Sequence, residues 1–388
     1  MPSKSKVKKT AKRIRKNKTM LKVIVAFLLI IAISIAIIYF AFPDTYRKYR
    51  DLLFGKNVAP DYSAAVGQVT LQEGDLSVHY LQLGNKNCGD SVLIKNGDIE
   101  VLIDAGSKSD SIETISAYID TYCSDGVLEY VIVTHAHEDH IACLGGTANA
   151  EYRTIFDRYV VETIIDFPLT NSTSQLYNRY VAERDAEVAQ GAKHYTALQC
   201  WNNEGGAKRN YDLGDGVSLN ILYNYYYEHT TSNENDYSVC CMITDGDKNF
   251  LFTGDLEKKG EEYLVQYNNL PQVTAFKAGH HGSETASNDV LIDVIKPQIV
   301  CITTVMGTLE YSKDIAKIFP AKRVCRSFEK YTNNIYVTSM YDSATDTYGM
   351  YNGNIVLVSN ADGVKVVCSN HSKKLNESPW YQANRQAA

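Results

Sequence analysis

One short segment limits, more than any other, what this chain of 388 residues can fold into. His135-Ala-His-Glu-Asp-His140 directly follows the hydrophobic run Leu128–Thr134, so it begins where a predicted strand ends. Two histidines two residues apart and an adjacent aspartate and histidine place four metal ligands on one sharp turn. A single ion would leave at least one of these ligands unused, whereas two divalent ions about 3.5–4 Å apart can share all four. This pattern favours a two-metal centre over an exposed histidine-rich loop.

Three other apolar runs also end in residues that can bind or support a metal. Phe250-Leu-Phe-Thr-Gly-Asp255 ends in a Gly-Asp step, where the glycine permits close backbone approach and the carboxylate could bridge two ions. Phe276-Lys-Ala-Gly-His-His-Gly-Ser283 ends in a histidine pair. Asp104 follows Val101-Leu-Ile103, and we expect it to hold a loop or to orient a ligand from behind. A purely turn-forming role for Asp104 is equally consistent with its position.

The remaining pattern predicts an α/β architecture, because short β-branched runs alternate with helical stretches from about residue 75. Residues 168–212 interrupt the alternation, which we interpret as an insertion near the mouth of the site. The predicted strands are 76–80, 91–94, 101–103, 128–134, 217–223, 273–277 and 299–304, with helices at 111–123, 174–190, 256–267 and 289–295. Hairpins are predicted at 237–252, turning at Asp245-Gly246, and at 355–367, turning at Asp362-Gly363.

The N-terminus predicts a membrane anchor. Residues 1–19 carry nine Lys/Arg and no acid, and Val23–Phe42 is a run of 20 uncharged, mainly apolar residues. That run is long enough to span a bilayer. A cleaved signal peptide is less consistent, because its apolar region is about 7–15 residues long and precedes a small-residue cleavage site. Since Lys and Arg stay on the cytoplasmic side, the N-terminus is expected inside and the rest outside, with membrane lipid contacting residues 20–42.

Charge and cysteine content restrict the function classes. The net charge of −6 includes the nine positive charges of the tail, which leaves −15 for residues 20–388. A domain that tracks a polyanion normally shows a basic footprint, so this balance counts against extended nucleic-acid binding. The nine cysteines show no CxxC spacing, which excludes a zinc ribbon or a disulfide scaffold and predicts mostly free, buried thiols.

In order, spacing and strand-end placement, the motifs resemble the metallo-β-lactamase superfamily over roughly residues 75–310. The subgroup that they resemble most contains the extracellular nuclease domain of ComEC-type DNA-uptake proteins. The motifs that carry this resemblance are Gly89-Asp-Ser-Val-Leu-Ile94, Leu102-Ile-Asp-Ala-Gly106, His135-Ala-His-Glu-Asp-His140, Asn235-Asp-Tyr-Ser238, Leu251-Phe-Thr-Gly-Asp255 and His280-His-Gly-Ser283.

The resemblance implies a four-layer αββα metallo-β-lactamase sandwich, here preceded by one transmembrane helix. The predicted organisation is a basic tail at 1–19, a transmembrane helix at 20–42, a stalk at 43–72, a hydrolase domain at 73–368 and a loose tail at 369–388.

The resemblance also implies a ligand set for two divalent ions. His135 and His137 would hold the first ion, Asp139 and His140 the second, Asp255 would bridge them, and His280 would complete the second site. His281 is the alternative ligand or a supporting donor, and with Asp139 and Asp255 it is a candidate catalytic residue.

Asn235 occupies the approximate place of a further histidine that many superfamily members put on the first ion. The intervening region offers only His194 and His229. Water would then complete the coordination of the first ion, which makes manganese as consistent with the sequence as zinc.

The expected reaction is hydrolysis by a water whose pKa two ions lower towards about 7, with Asp139 orienting or deprotonating it. Ser283, Thr285 and Lys277 are candidate contacts to an anionic substrate. Tyr223-Asn-Tyr-Tyr-Tyr227 could stack on bases or sugars, although packing explains most of it equally well.

Three functions remain open at the level of sequence. The first is a phosphodiesterase or nuclease acting on an anionic phosphoester, possibly DNA. The second hydrolyses small phosphodiesters or phosphocholine-type esters on cell-wall polymers. The third is a non-catalytic surface module, which the retention of all six main ligand positions disfavours.

Overall fold

The computed structural model describes residues 70–385 except 73, 150 and 343. The predicted basic tail, the transmembrane helix and most of the stalk therefore lie outside the described residues. Within the described part of the chain, none of the helices combines the length and the apolar character needed to span a bilayer.

Most strands are short, and several coincide with the predicted runs. The strand Leu76–Tyr80 has the predicted bounds, and the other predicted strands differ from the observed ones by a few residues at their ends. The strands are β1 Leu76–Tyr80, β2 Val92–Asn96, β3 Ile99–Ile103, β4 Val127–Ile132, β5 Val160–Asp166, β6 Lys193–Thr196, β7 Asn210–Asp212, β8 Val217–Ile221, β9 Cys241–Asp245, β10 Lys248–Phe252, β11 Ala275–Lys277, β12 Ile299–Met306, β13 Ile335–Asp342, β14 Thr347–Met350, β15 Ile355–Asn360 and β16 Gly363–Cys368.

The described helices connect these strands. Four correspond to predicted helices, and Asp289–Ile295 agrees at both ends. The α-helices are α1 Ser111–Tyr122, α2 Glu138–Gly145, α3 Ile155–Arg158, α4 Gln175–Ala189, α5 Ala197–Asn202, α6 Lys258–Tyr267, α7 Asp289–Ile295, α8 Lys322–Glu329 and α9 Pro379–Asn384, and the 3-10 turns are Tyr225–Tyr227, Glu234–Tyr237, Gly279–Gly282 and Leu375–Glu377.

The strands form two eight-stranded sheets. The first has the order β16-β15-β1-β2-β3-β4-β5-β6, and the second has the order β14-β13-β12-β11-β10-β9-β8-β7. In each sheet four consecutive strands are parallel, namely β3 to β6 and β10 to β13. Because the carboxyl ends of parallel strands share one edge, side chains that follow β3, β4, β10 and β11 can meet there.

Alternating side chains show that the second sheet is buried on both faces. Phe250 and Phe252 belong to the core shared with the first sheet, where the Phe252 ring lies 6.2 Å from that of Tyr80. Leu251, which points the other way, packs in a second core. That second core includes Leu264 of α6 and Leu291 of α7. With α1 on the first sheet, the layers are helix, sheet, sheet, helix, as expected for the metallo-β-lactamase fold.

Residues 168–212, predicted as an insertion, contribute strands to both sheets, which the sequence did not predict. Strand β6 pairs with β5 at the edge of the first sheet, and β7 pairs with β8 at the edge of the second. The segment thus extends and connects the two sheets. Its strands have three or four residues and are mostly polar. They therefore lack the alternation of apolar and polar residues from which a strand is predicted.

The segment from residue 369 was predicted to be loose, and the structure differs over its described part. Tyr381 in α9 is buried, and the Arg385 guanidinium donates to the carbonyl oxygens of Ile315, Ile318 and Pro320. The two predicted hairpins are present, but their turns lie at 246–247 and 361–362, one residue later and one residue earlier than predicted.

All nine cysteines lie among the described residues and are free, and only Cys368 is not fully buried. This confirms the prediction of mostly free, buried thiols. Cysteine here acts as a small apolar residue in both cores.

Candidate metal centre

Three loops are joined by backbone hydrogen bonds where the two sheets meet at their carboxyl edge. Asp90 donates its backbone N–H to the Asp139 carbonyl (3.0 Å), and Ala105 donates to the His140 carbonyl (2.8 Å). Gly106 lies so close to this turn that a Cβ there would be 1.9 Å from the Asp139 carbonyl oxygen. A side chain is therefore excluded at residue 106, which explains the glycine.

Four buried side chains converge at this edge: Asp90, His140, Asp255 and His281. One ligand atom from each lies within 4.8 Å of the others. The Oδ2 of Asp255 is 3.2 Å from His140 Nε2 and 3.5 Å from His281 Nε2. His140 Nε2, His281 Nε2 and both carboxylate oxygens of Asp255 make no well-directed hydrogen bond to another described residue. Since unpartnered buried polar atoms are costly, their convergence fits a cation, whose ligands at bond lengths of about 2.0–2.1 Å lie about 3.3 Å apart.

His135 and His137 lie beside this cluster. His135 is buried and its ring centroid is 4.2 Å from that of His140, while His137 is exposed with its Nδ1 3.0 Å from His135 Nε2. Burial, together with the neighbouring His140, holds the pKa of His135 well below its usual value. A neutral imidazole is the form that binds a metal.

Asp104 holds His140 from behind. Its Oδ2 accepts hydrogen bonds from Thr134 Oγ1 (2.7 Å) and from His140 Nδ1 (2.8 Å), and its Oδ1 accepts from the Thr134 backbone N–H (2.8 Å). This pairing fixes the ring so that Nε2 faces Asp255. Burial alone would lower the pKa of His140, but the carboxylates of Asp255 and Asp104 raise it well above its usual value.

The histidine pair occupies a strained turn, with both residues in the left-handed region at φ +48° and +53°. His281 is buried within the four-residue cluster. His280 lies at its edge, with Nε2 3.7 Å from Asp255 Oδ2 and Nδ1 bonded to Thr285 Oγ1 at 3.0 Å. Both histidines can therefore reach Asp255, and the choice between them as ligands stays a prediction.

Asp139 is partly exposed at the open side of the cluster. Its Oδ2 lies 3.4 Å from His281 Nε2 and accepts a hydrogen bond from the Tyr311 phenol at 2.9 Å. Burial opposes its ionisation, but the neighbouring imidazoles of His281 and His140 hold the pKa of Asp139 below its usual range.

Asp90 lies in the motif Gly89–Ile94, but no role was predicted for it from the sequence. Asp90 is buried, its Oδ1 lies 3.2 Å from His281 Nδ1, and Lys277 and Thr303 both bond to its carboxylate. Lys277, a candidate substrate contact, is buried, and its ammonium group pairs with Asp90. A lysine within an apolar strand requires a buried anion as its partner. Lys277 was therefore the sequence feature that could have indicated a buried carboxylate such as Asp90.

The other candidate contacts surround His280. Asn235 Nδ2 donates to Glu257 Oε1 (3.0 Å), which lies 3.5 Å from His280 Nδ1. Ser283 Oγ is 3.1 Å from Thr285 Oγ1. Asn235 and Ser283 thus each connect to His280 through one intervening residue, Glu257 and Thr285 respectively. The tyrosine run packs instead on α6, since the Tyr225 ring stacks on Tyr263 at 4.1 Å.

A cavity of about 540 Å³ opens beside His137 and Glu138. The residues that line it include Ser109, Thr147, Ser172, Ser174 and Arg179. Its volume falls within the range of about 300–1,000 Å³ that small-molecule sites occupy.

Comparison with known proteins found similar sequences and structures. Residues 89–152 match the family described as the metallo-beta-lactamase superfamily. Recombination protein 2 of Haemophilus influenzae is 30% identical over 74 residues, 19% of this chain and 9% of that protein. ComE operon protein 3 of Bacillus subtilis is 25% identical over 182 residues, 45% of this chain and 20% of the relative. Competence protein ComA of Neisseria gonorrhoeae is 32% identical over 113 residues, 29% and 14% of the two chains. The matched segments thus span at most a fifth of these relatives.

Among solved structures, the metallo-beta-lactamase fold protein YhfI of Bacillus subtilis is 11% identical and has a TM-score of 0.39, with 70% of this chain and 99% of that chain covered.

Proposed function

From the premise that the chain carries a metallo-β-lactamase superfamily domain, we propose that it is a membrane-anchored, extracytoplasmic metal-dependent hydrolase of phosphodiester bonds. Its centre comprises His135, His137, Asp139, His140 and Asp255 with the histidine pair at 280–281, and Asp90 supports them. The observation that carries the proposal is the convergence of His140 Nε2, His281 Nε2 and both Asp255 oxygens without hydrogen-bond partners among the described residues.

The donor set suits two divalent ions, since imidazole and carboxylate bind both zinc and manganese. Such ions would supply a water of lowered pKa and would neutralise charge on a phosphoryl oxygen. His135 and His137 would hold one ion, His140 and one or both of His280 and His281 the other, and Asp255 would lie between them.

The chain's own residues position this chemistry. Asp104 fixes the ring of His140, so that its Nε2 cannot turn away from Asp255. Asp90 does the same for His281, whose Nδ1 lies 3.0 Å from the Thr303 carbonyl. Asp139, at the open side, accepts from Tyr311 and would orient an attacking water. The buried Lys277 offsets one of the three buried carboxylates.

Two observations bear on the substrate. The relatives in sequence are competence and recombination proteins, which supports DNA. The charge of −15 after residue 19 and the cavity of about 540 Å³ instead favour a small phosphodiester, or one ester unit on a cell-wall polymer. We place phosphodiester cleavage first and leave the size of the substrate to experiment.

The test uses the full-length protein, purified in mild detergent and loaded with manganese or zinc. Turnover is measured on bis-p-nitrophenyl phosphate and on single-stranded DNA. Turnover of both supports a nuclease, and turnover of the small ester alone supports the second function. Turnover of neither by metal-loaded protein contradicts the proposal and leaves a binding role. A lactamase assay is expected to be negative.

Asp255→Ala should abolish turnover on either substrate without unfolding the domain. Asp247→Ala is the matched control, because Asp247 is an exposed aspartate in the β9–β10 turn of the same hairpin. Full turnover by Asp255→Ala would refute the two-metal mechanism.

A further inference from the structure

A second group of metal-binding side chains lies at the opposite end of the first sheet. Glu100 lies near the start of β3, Cys123 caps the end of α1, and Asp125 lies in the turn that leads into β4. Strand β4 begins at Val127 and reaches the candidate metal centre only at His135. At about 3.3 Å per residue, the two places are roughly 25 Å apart. This group is therefore separate from the hydrolase centre.

The geometry of the group fits a tetrahedral ion. One ligand atom each of Glu100, Cys123 and Asp125 lies within 4.8 Å of the others. The Cys123 sulfur is 3.6 Å from Asp125 Oδ1. An ion with a metal–sulfur bond of about 2.3 Å and a metal–oxygen bond of about 2.0 Å would separate these atoms by about 3.5 Å.

A buried carboxylate oxygen supplies an independent observation. The Glu100 side chain is only 2% exposed, and its Oε2 has no hydrogen-bond partner among the described residues. Its other oxygen pairs with Lys95. Leaving one oxygen of a buried carboxylate without a partner is costly, so a cation at Oε2 would be stabilising.

The local charge also favours a cation. Glu129 lies beside Glu100 and accepts a hydrogen bond from its backbone N–H at 2.7 Å. Glu100, Asp125 and Glu129 thus bring three carboxylates to one place. Lys95 is the ammonium group paired there. Asp125 is exposed, which gives an ion in solution access to the group.

We propose that Glu100, Cys123 and Asp125 form a structural site for a thiophilic divalent ion of the zinc class, with water as the fourth ligand. Glu100 binds through Oε2 and keeps Lys95 on Oε1. Cys123 binds as the thiolate, and its proton is released to solvent when the ion enters. The soft sulfur ligand selects zinc, cobalt or cadmium over manganese, magnesium or calcium.

Such a site would hold three elements together at the base of the first sheet. It would join the end of α1 to the starts of β3 and β4, the two strands whose far ends carry Asp104 and His135. Its role would be to stabilise the domain. It does not depend on the proposed hydrolase activity.

Cobalt spectroscopy tests the site directly. The hydrolase centre offers only imidazole and carboxylate donors, so a thiolate-to-cobalt charge-transfer band in the near ultraviolet reports on the second site alone. The full-length protein is reduced, stripped with chelator and titrated with Co²⁺. We expect one thiolate-bound cobalt per chain, and a cobalt affinity of the thiolate site that falls at least tenfold in Glu100→Gln.

Cys123→Ser should lose the band, while Cys200→Ser should keep it, because Cys200 is a buried thiol bonded to Tyr211 and belongs to no candidate metal-binding group of the described residues. Absence of the band once cobalt fills the histidine centre would overturn the proposal. Persistence of the band in Cys123→Ser would also overturn it. If circular dichroism shows that Cys123→Ser does not fold, an undiminished band in Glu100→Gln at limiting cobalt overturns the proposal instead.

Discussion

The phenol of Tyr311 donates a hydrogen bond to Oδ2 of Asp139 across 2.9 Å, although 172 residues separate the two in the chain. The Tyr311 side chain is 48% exposed and its ring stacks on Phe319 at 5.1 Å. Glu310 anchors the same loop, because its carboxylate accepts from Asn87 Nδ2 and from the Cys88 backbone N–H. This loop therefore presents a hydroxyl group to the open side of the candidate metal centre.

We predict that Tyr311→Phe lowers kcat about fivefold and changes KM less. The lost hydrogen bond is partly exposed and is worth about 1 kcal/mol, and without it Asp139 samples more orientations. Steady-state kinetics on bis-p-nitrophenyl phosphate measures this. Tyr331→Phe is the matched control, since Tyr331 is an exposed tyrosine that donates to Asp293 (3.0 Å) far from the centre. Equal kinetics for both variants would argue against a positioning role.

Asp104→Asn should weaken metal binding about 10–100-fold while the protein stays folded. The amide keeps the size of the side chain but removes the charge that orients His140, and loss of such a supporting partner typically has this effect. Competition with a chromophoric chelator gives the affinity. Asp362→Asn, on an exposed hairpin turn, should leave it unchanged. An Asp104→Asn variant with native affinity would assign Asp104 to the turn alone.

Gly106→Ala should destabilise the domain by at least about 2 kcal/mol and displace the metal-binding turn. Its Cβ would lie 1.9 Å from the backbone carbonyl oxygen of Asp139, which cannot move without the loop. Urea unfolding measures the change. At Gly349 a Cβ meets nothing within 4 Å, so Gly349→Ala should change the free energy of unfolding by no more than about 0.5 kcal/mol. A tolerated Gly106→Ala would mean that the turn is more adaptable than its contacts indicate.

His79 should make the domain sensitive to acid. The ring is buried between the Tyr118 and Ser77 hydroxyls, and burial lowers its pKa from 6.5 to about 3. Below pH 6.5 the unfolded chain binds a proton at His79, whereas the folded protein does not. The contribution of His79 to the free energy of unfolding is therefore fully present above pH 6.5 and is lost as the pH falls. The loss is at most about 1.4 kcal/mol per pH unit. Thermal unfolding between pH 6.5 and 4 measures it.

His79→Gln should flatten that pH dependence, whereas His229→Gln, which replaces an exposed histidine, should not. A wild-type slope retained in His79→Gln would assign the acid sensitivity to other groups.

The sequence predicted the parts of the fold whose signals are local. Asp255 and His135 were identified because each directly follows an apolar run, a pattern that is recognised from neighbouring residues alone. The edge strands β6 and β7 were missed, since they are too short and too polar to show a period. Asp90 and Tyr311 were missed as site residues for a different reason. Their partners, His281 and Asp139, are distant in the chain, and only the packing of the two sheets brings them together.

The choice between His280 and His281 as the metal ligand also could not be made from the sequence. Spacing cannot distinguish neighbours on a turn, and only the folded structure shows that His281 is buried and that His280 lies at the edge.

The most direct test of the account is the manganese content of the pure, folded full-length protein, measured beside that of Asp255→Ala. Manganese is the appropriate ion because the thiol-containing site should not retain it. We predict up to two bound manganese ions per wild-type chain and a marked loss in Asp255→Ala, together with loss of turnover. Wild-type protein that binds neither manganese nor zinc, or an Asp255→Ala variant with full metal content and full turnover, would contradict the account.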